Sequence, residues 1–304
     1  MRRAAPKTTQ LDVVRANGWP QLQWLIHGFS TRIGGKTTVY RPGDRQAADL
    51  NLGFTDSDDP QTVAANRRLF VRAVSEAKGN LGLVTLRQIH SSLIWRVQAK
   101  DVQGNEKPAV LRGDGMMTDE PGVLLGIQTA DCIPVLVADR KNRAVAAFHA
   151  GWRGTLARIV ENGVGRMRLE FGSKPENLIA SIGPGIGQCC YSIGDEVREQ
   201  FASQFAYAPE LFREVGNSDP IREKYPMLFL TARAPGHSNL GPSMHLDLAE
   251  ANRRQLLAAG LKKTAIVMTG QCTGCQTDRF FSHRKERGFT GRMMSVIGIV
   301  RDSL

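Results

Sequence analysis

The sequence predicts an α+β fold: one domain built as a mixed-sheet α/β sandwich. Three observations carry this. Several short apolar runs have strand length without polar alternation, which fits strands covered on both faces. Three helices can be read with their ends. Strands and helices interleave irregularly, which fits a mixed sandwich better than a regular doubly wound sheet. Residues 1–20 read as a loosely ordered segment and residues 21–304 as the domain, because no stretch has the length and composition of a linker.

The first helix begins at Asp58-Asp59-Pro60, an N-cap followed by proline at the first helical position. Val63, Phe70 and Val74 then lie near one face, and Gly79 marks the stop. The second follows Gly154-Thr155, with Leu156, Ile159, Val160, Val164 and Met167 at helical spacing. The third runs from about Asp247 to Ala259 and ends at Gly260. The strand candidates are Leu83–Leu86, Val123–Ile127, Ile133–Val137, Ala144–Phe148, Leu178–Ile182, Ala265–Met268 and Met294–Val300. Two regions read as loops, about Thr37 to Gln46 and Ala208 to Pro242.

Composition narrows the function classes. A chain of 304 residues, 41% hydrophobic, can bury a substantial core without disulfides. The formal charge is +11, but the basic residues are scattered, and the densest cluster, Arg279 to Arg292, is interrupted by Phe280, Phe281 and Phe289. No RNP, basic-zipper or zinc-finger pattern is present, so plain solubility or a small anionic substrate is expected rather than nucleic acid. No stretch approaches the roughly 20 apolar residues of a membrane span, and no apolar region follows the basic start, so a cytoplasmic protein is expected. The five cysteines, Cys132, Cys189, Cys190, Cys272 and Cys275, argue against a disulfide framework by their odd number.

Several familiar motifs fail. Gly34-Gly35-Lys36-Thr37 resembles the end of a P-loop, but Ser30 stands where the first glycine is needed. Gly183-Pro184-Gly185-Ile186-Gly187 has the wrong spacing for a dinucleotide fingerprint and reads as a tight turn after a strand. There is no Gly-x-Ser-x-Gly, no His-Glu-x-x-His and no cytidine-deaminase signature. Cys272-Thr273-Gly274-Cys275 is a Cys-x-x-Cys, yet the adjacent Cys189-Cys190 makes a poor second half of a zinc site. These four are therefore read first as buried structural cysteines, with redox or metal roles behind.

Three segments remain: Arg87-Gln88-Ile89-His90, Thr129-Ala130-Asp131-Cys132-Ile133-Pro134 and Phe148-His149-Ala150-Gly151-Trp152-Arg153-Gly154-Thr155. Each lies at or beside the end of a predicted strand, where a rigid framework presents reactive groups. Two histidines and a cysteine suit zinc and also copper. Three protein ligands leave a fourth position for water, whose pKa a zinc ion lowers to about 7. A histidine at a strand end is also an ordinary hydrogen-bonding group, a lone cysteine is ordinarily core, and Cys132 with either histidine would make a nucleophilic pair. The residues offer a site without choosing its reaction.

These segments resemble the YfiH/YlmD family, whose members have been described as multicopper polyphenol oxidases (laccases), peptidoglycan editing factors and purine nucleoside phosphorylases. The resemblance runs from His27-Gly28-Phe29-Ser30-Thr31-Arg32-Ile33-Gly34-Gly35 nearly to the end, through Leu50-Asn51-Leu52-Gly53, Asp58-Asp59-Pro60, Asn66-Arg67 and Asp114 with Thr118-Asp119. It continues through Ile182-Gly183-Pro184, Cys190-Tyr191, Asp247-Leu248, Asn252-Arg253, Cys272–Cys275 and Asp278-Arg279-Phe280-Phe281-Ser282. His149-Ala150-Gly151-Trp152-Arg153-Gly154-Thr155 is its most specific part. It implies a sandwich related to the catalytic domain of a cytotoxic necrotising factor, and zinc ligands at His90, Cys132 and His149. Departures are Ser30 for a second Phe, Gly185 in the Gly-Pro-x turn, and Gly274 for a common aromatic.

The resemblance implies phosphorolysis of adenosine, inosine, guanosine and methylthioadenosine, and deamination of adenosine. Its alternatives are an amidohydrolase editing peptidoglycan precursors and a copper-dependent phenol oxidase, the last weakened by the absence of further histidines. Asp131 is expected to orient a ligand, to shuttle a proton, or simply to cap a turn of the core. Arg153 and Arg32, with the helix start after Gly154, are expected to hold phosphate, and Asn51 and Gln88 to touch substrate. The expected partners are a purine nucleoside and phosphate, with a monomer or weak homo-oligomer as the assembly.

Overall fold

The computed structural model describes residues 11–41, 48–75, 79, 81–216 and 242–301. The first half of the described chain holds β1 (Val13–Val14), β2 (Leu25–Ser30), β3 (Ile33–Thr37), α1 (Pro60–Ser75), β4 (Gly82–Thr85), β5 (Ile94–Arg96) and β6 (Gly115–Thr118). The centre holds β7 (Val123–Thr129), β8 (Ile133–Asp139), β9 (Ala144–Ala150), α2 (Trp152–Leu156), α3 (Ile159–Phe171) and β10 (Leu178–Ile182). Then follow β11 (Ser192–Ile193), α4 (Asp195–Gln204), β12 (Phe212–Val215), β13 (Ser243–Leu246), α5 (Leu248–Ala258), β14 (Ile266–Met268) and β15 (Met293–Ile299).

The strands form a five-stranded sheet, β1-β2-β15-β7-β4, a six-stranded sheet, β14-β10-β8-β9-β6-β5, and a small sheet, β11-β13-β12. Both large sheets mix parallel and antiparallel neighbours: β4 runs parallel to β7, while β15 is antiparallel to β7. This is the single-domain mixed sandwich that the sequence predicts, and the apolar runs explain its layers. Along β8, Ile133, Val135 and Val137 pack on the helices α3 and α5, while Leu136 and Ala138 pack against the five-stranded sheet. Along β9, Ala146 and Phe148 face the helices and Val145 and Ala147 face the other sheet. A strand covered on both faces needs apolar residues at every position. The outer face of the five-stranded sheet is closed by α1 through Phe70 and Val74, which meet Leu83, Leu124 and Val296. The order of layers is thus helix, sheet, sheet, helices.

Helix ends follow their signals. The Asp59 carboxylate accepts the N–H of Thr62 at 2.8 Å, and that of Asp247 accepts the N–H of Glu250 at 2.9 Å. Gly260, past α5, has φ +97°. The helix expected after Gly154-Thr155 starts earlier, at Trp152, and breaks at Arg158, whose left-handed φ of 57° separates α2 from α3. No glycine marks that break. Residues 11–20, expected to be loosely held, instead place β1 on β2 and bury Trp19, whose indole donates to the Ala180 carbonyl at 3.2 Å. Of the loop expected at Ala208 to Pro242, residues 217–241 lie outside the described residues, while β12 begins at Phe212 and pairs with β13. The reading of Cys189, Cys190, Cys272 and Cys275 as buried, with the first two a poor partner for the others, needs correction: Cys189 and Cys275 are exposed, and the two segments meet. Among the described residues no helix is long and apolar enough to cross a membrane.

Candidate active site

His149 is the sixth residue of β9 and shares the parity of Val145 and Ala147, so it points to the end of the layer between the two sheets. His90 lies in the loop after β4, with its backbone in the left-handed region at φ 58°. A non-glycine residue holds that conformation only when its surroundings enforce it. The anchor is Asp114, buried just before β6. Its carboxylate accepts the N–H groups of Ile89 (3.2 Å), His90 (3.0 Å) and Ser91 (2.7 Å), and the Ser91 hydroxyl at 2.7 Å. Because β6 pairs with β9, the same carboxylate reaches His149 and accepts its Nδ1–H at 2.8 Å. The Asp114 carbonyl takes the His149 backbone N–H at 2.7 Å. One side chain therefore sets both histidines and turns His149 Nε2 toward Cys132.

Cys132 lies in the turn between β7 and β8. Its neighbour Asp131 has φ 90° and is held from several sides. The Asp131 carboxylate accepts from Thr273 Oγ1 (2.6 Å), Ser282 Oγ (2.7 Å) and the Arg284 N–H (2.7 Å), and its carbonyl accepts from Ile186 N–H at 2.7 Å. Cys132 Sγ lies 3.8 Å from His90 Nε2, and the two imidazole rings are 4.9 Å apart at 69°. The nearest ligand atoms of His90, Cys132 and His149 all fall within 4.8 Å of one another. Gly151 keeps this space open, since a Cβ there would stand 2.9 Å from Cys132 Sγ and 3.0 Å from the His90 ring.

The charges are coupled. Burial alone would raise the Cys132 thiol and lower the His149 imidazolium. The opposite charge of His149 and hydrogen bonds from both histidines outweigh it and bring Cys132 down to about 6. The Cys132 charge and the Asp114 hydrogen bond bring His149 up to about 9. Burial would raise Asp114 too, but bonds from His149 and Ser91 hold it at about 2. The site thus favours a thiolate beside a hydrogen-bonded imidazolium; the thiolate is the form in which sulfur binds metal, and metal binding releases the imidazolium proton.

The three residues open onto a cavity of about 720 Å³, a size that takes a small organic ligand. Its walls include Arg67, Gln88, Gln128, Asp131, Tyr191, Arg284 and Arg292. Burial, with the Cys132 charge behind it, pushes the Tyr191 phenol up to about 12, so it remains a donor at neutral pH. Arg67 is 1% exposed: its Nε donates to the Leu52 carbonyl at 2.8 Å, its plane lies 4.4 Å from the Phe54 centroid, and neither terminal nitrogen has a partner among the described residues.

The other residues expected at a site are distributed as follows. Gln88 lines the cavity, clamped to Gln128 by its amide, which donates to that carbonyl at 2.7 Å and accepts that N–H at 2.8 Å. Asn51 is fully buried outside the cavity wall, donating to Asp58 at 2.7 Å and accepting the Arg292 N–H at 2.8 Å. Arg32 pairs with Asp49 at 2.7 Å and Glu286 at 3.0 Å, stacks on Phe281, and borders a different depression. Arg153 is exposed and lies over the Trp152 ring at 4.3 Å.

Residues 26–300 match the family described as multi-copper polyphenol oxidoreductase laccase. The chain belongs to this family. Among its YfiH/YlmD members, the purine nucleoside phosphorylase YlmD of Geobacillus stearothermophilus is 33% identical over 292 residues, covering 93% of this chain and 95% of that protein. An adenosine deaminase, RL5, from an unknown prokaryotic organism is 33% identical over 219 residues, 69% of this chain and 74% of that protein. The crystal structure of a hypothetical YfiH protein from Bacillus licheniformis superposes with a TM-score of 0.73 at 31% identity, covering 91% of this chain and 93% of that one.

Within this YfiH/YlmD chain, Asp114, Arg67, Gln128, Tyr191, Arg284 and Arg292 are site residues that sequence reasoning gave no role. Arg67 did leave a signal, for it falls four residues after Val63 and three before Phe70, on the apolar face of α1. A charge at a core position of a helix marks either a buried pair or a ligand contact. Asp114 left only its place in the family-like segment with Thr118-Asp119, and its role stayed hidden because its partners are far from it in the chain.

Proposed function

We propose that this chain is a zinc-dependent purine nucleoside enzyme, acting by phosphorolysis on adenosine, inosine, guanosine and methylthioadenosine and by deamination on adenosine. The family relatives support the purine nucleoside class. The observation that carries the reading is one cavity walled by a borderline-soft donor set and by a buried guanidinium, Arg67, whose two terminal nitrogens have no hydrogen-bond partner among the described residues.

The donor set fits a metal. Two imidazoles and a sulfur that favours the thiolate lie within 4.8 Å of one another, with a glycine in place of any side chain that would intrude. His90, Cys132 and His149 would hold it, and three ligands are the number found in catalytic zinc sites. When bound, zinc supplies Lewis acidity and brings the ionisation of water into the neutral range.

The chain's own residues do the rest. Asp114 fixes both histidines, and Asp131 acts as a positioning residue, since its carboxylate already receives three donors and holds the turn that carries Cys132. Tyr191 and the Gln88–Gln128 pair offer hydrogen bonds to a purine or ribose. In phosphorolysis a phosphate oxygen bonds to C1′ of the ribose, the bond to N9 breaks, and the base leaves with a proton. That reaction needs a phosphate site, and we assign it to Arg67 with Arg292 and Arg284. Arg32 is already neutralised by two carboxylates and Arg153 faces solvent. A buried cation without a partner is costly, and a phosphate dianion is its natural complement. In deamination water adds at C6 and ammonia leaves, with no phosphate required.

The experiment is product analysis. Inosine with phosphate should give hypoxanthine and ribose 1-phosphate, and adenosine without phosphate should give inosine and ammonia. Failure of both with metal-loaded protein overturns the reading. The oxidase reading suggested by the family description has less support, because the metal-capable groups among the described residues are this set and one of cysteines, without the extra histidines of a multicopper cluster.

A further inference from the structure

The chain holds a second group of metal-ligating residues away from the cavity wall. Cys189 and Cys190 lie in the loop after β10, and Cys272 and Cys275 in the turn after β14. All four sulfurs fall within 4.8 Å of one another. Cys275 Sγ is 3.3 Å from Cys189 Sγ and 3.4 Å from Cys190 Sγ, well beyond the roughly 2.05 Å of a disulfide. Four sulfurs about 2.3 Å from a tetrahedral zinc ion lie about 3.8 Å apart, so these thiols already occupy nearly the required volume.

The surrounding backbone is shaped to this cluster. Gly187 and Gly274 both face it. A Cβ at Gly187 would stand 3.2 Å from Cys189 Sγ and 3.3 Å from Cys272 Sγ, and one at Gly274 would stand 2.8 Å from the Cβ of Cys190. The Gly187 N–H donates to Cys272 Sγ at 3.2 Å, a contact that favours the thiolate. The two segments are stitched by backbone bonds, Gly185 N–H to Gln271 carbonyl at 3.3 Å and Thr273 N–H to Gly185 carbonyl at 3.0 Å.

We propose that Cys189, Cys190, Cys272 and Cys275 form a second metal site, a closed tetrathiolate that binds zinc and clips the loop after β10 to the turn after β14. Soft thiolates select zinc, copper(I) or iron, and a complete set of four cysteines is the ligand set of a structural zinc ion. The electrostatics agree. Burial and the neighbouring sulfurs push Cys190 up to about 11 and Cys189 higher still, while at Cys272 burial is outweighed by hydrogen bonds from the Gly187 N–H, Cys189 and Cys275, which hold it below the usual thiol range. Four clustered thiols resist ionising together unless a cation offsets their charge, so zinc binding releases protons. The clip has a structural object. Thr273 donates to Asp131, Ile186 N–H donates to the Asp131 carbonyl, and Ile186 and Tyr191 line the cavity. The tetrathiolate therefore stands behind the turn that carries Cys132.

The test is metal content by mass spectrometry of the full chain, purified under reductant without added metal, beside Cys132→Ala and the double variant Cys189→Ser/Cys275→Ser. Wild type should carry two zinc ions per chain, each variant one, and their combination none. If the cysteine double variant does not fold, cobalt(II) exchange into wild type replaces it. Loss of Cys132 should then remove only the minor part of the thiolate-to-cobalt absorption, since four of the five sulfurs remain. The proposal is overturned if wild type holds no metal beyond that lost with Cys132→Ala. It is also overturned if peptide mapping without reduction finds Cys275 disulfide-bonded to Cys189 or Cys190, or if the second metal is iron or copper. Each centre is lost with its own variant, so failure here leaves the nucleoside reading standing, and the reverse.

Discussion

The two sulfur-containing clusters of this chain differ in ligand number, support and outlook. His90, Cys132 and His149 offer three ligand atoms, are oriented by the buried carboxylate of Asp114, and open onto a cavity. Cys189, Cys190, Cys272 and Cys275 offer four, are supported by backbone N–H groups and glycines, and line no part of that cavity. Three ligands leave a coordination position for chemistry, and four leave none. On the proposed reading, one fold places a reactive centre beside a structural one, joined by Asp131 and the turn around it.

The largest effect expected is on Cys132→Ala. Its turnover should fall to background, whereas Cys189→Ser/Cys275→Ser, at positions outside the cavity wall, should keep most of its activity when folded. Steady-state rates of both variants check this, and equal losses would dissolve the distinction.

The thiols of the chelator-stripped protein should separate almost as widely. With the sign worked out, a lowered pKa means thiolate above that value and thiol below it. Cys132, at about 6, should be alkylated by iodoacetamide at a rate that falls only as the pH drops through about 6. Cys190, at about 11, should react appreciably only as the pH approaches that value. Alkylation followed by peptide mass spectrometry from pH 5 to about pH 11 reads both.

Asp114→Asn should cost about 10- to 100-fold in zinc affinity at the open centre, the range typical of groups that orient a metal-bound histidine. Competition against a chromophoric chelator measures it, with the cysteine site as internal control. A smaller and more selective effect is expected for Arg67→Lys. Phosphorolysis should show a phosphate KM raised about 10-fold, because a point charge replaces a fork of donors, while deamination is unchanged. Equal loss of both reactions would place Arg67 in folding alone.

Much of this molecule is legible in the sequence, and the exceptions have physical causes. Val123–Thr129, Ile133–Asp139, Ala144–Ala150 and Leu178–Ile182 are visible because burial on both faces leaves an unbroken apolar run. Leu25–Ser30 is interrupted by His27 and Gly28, and Ile33–Thr37 carries two glycines and a lysine, so neither reads as a strand. The helix Asp195–Gln204 buries only Phe201 and leaves no apolar stripe. His90, Cys132 and His149 stand out by type and by their place near strand ends, but their convergence depends on Asp114, which joins residues 24 and 35 positions away. The cysteine cluster is hidden for a similar reason. Adjacent Cys189 and Cys190 look unlike half a zinc site until the chain brings a turn 85 residues away against them.

The most direct test of the central claim is turnover against zinc occupancy. The purified chain is stripped with chelator, reloaded with zinc in steps, and supplied at each step with adenosine, with and without phosphate. The account predicts that inosine without phosphate, and adenine with it, rise together with occupancy of the His90–Cys132–His149 centre and stay absent in Cys132→Ala. Full turnover in the stripped protein, or none in protein whose open centre is fully loaded, would contradict it.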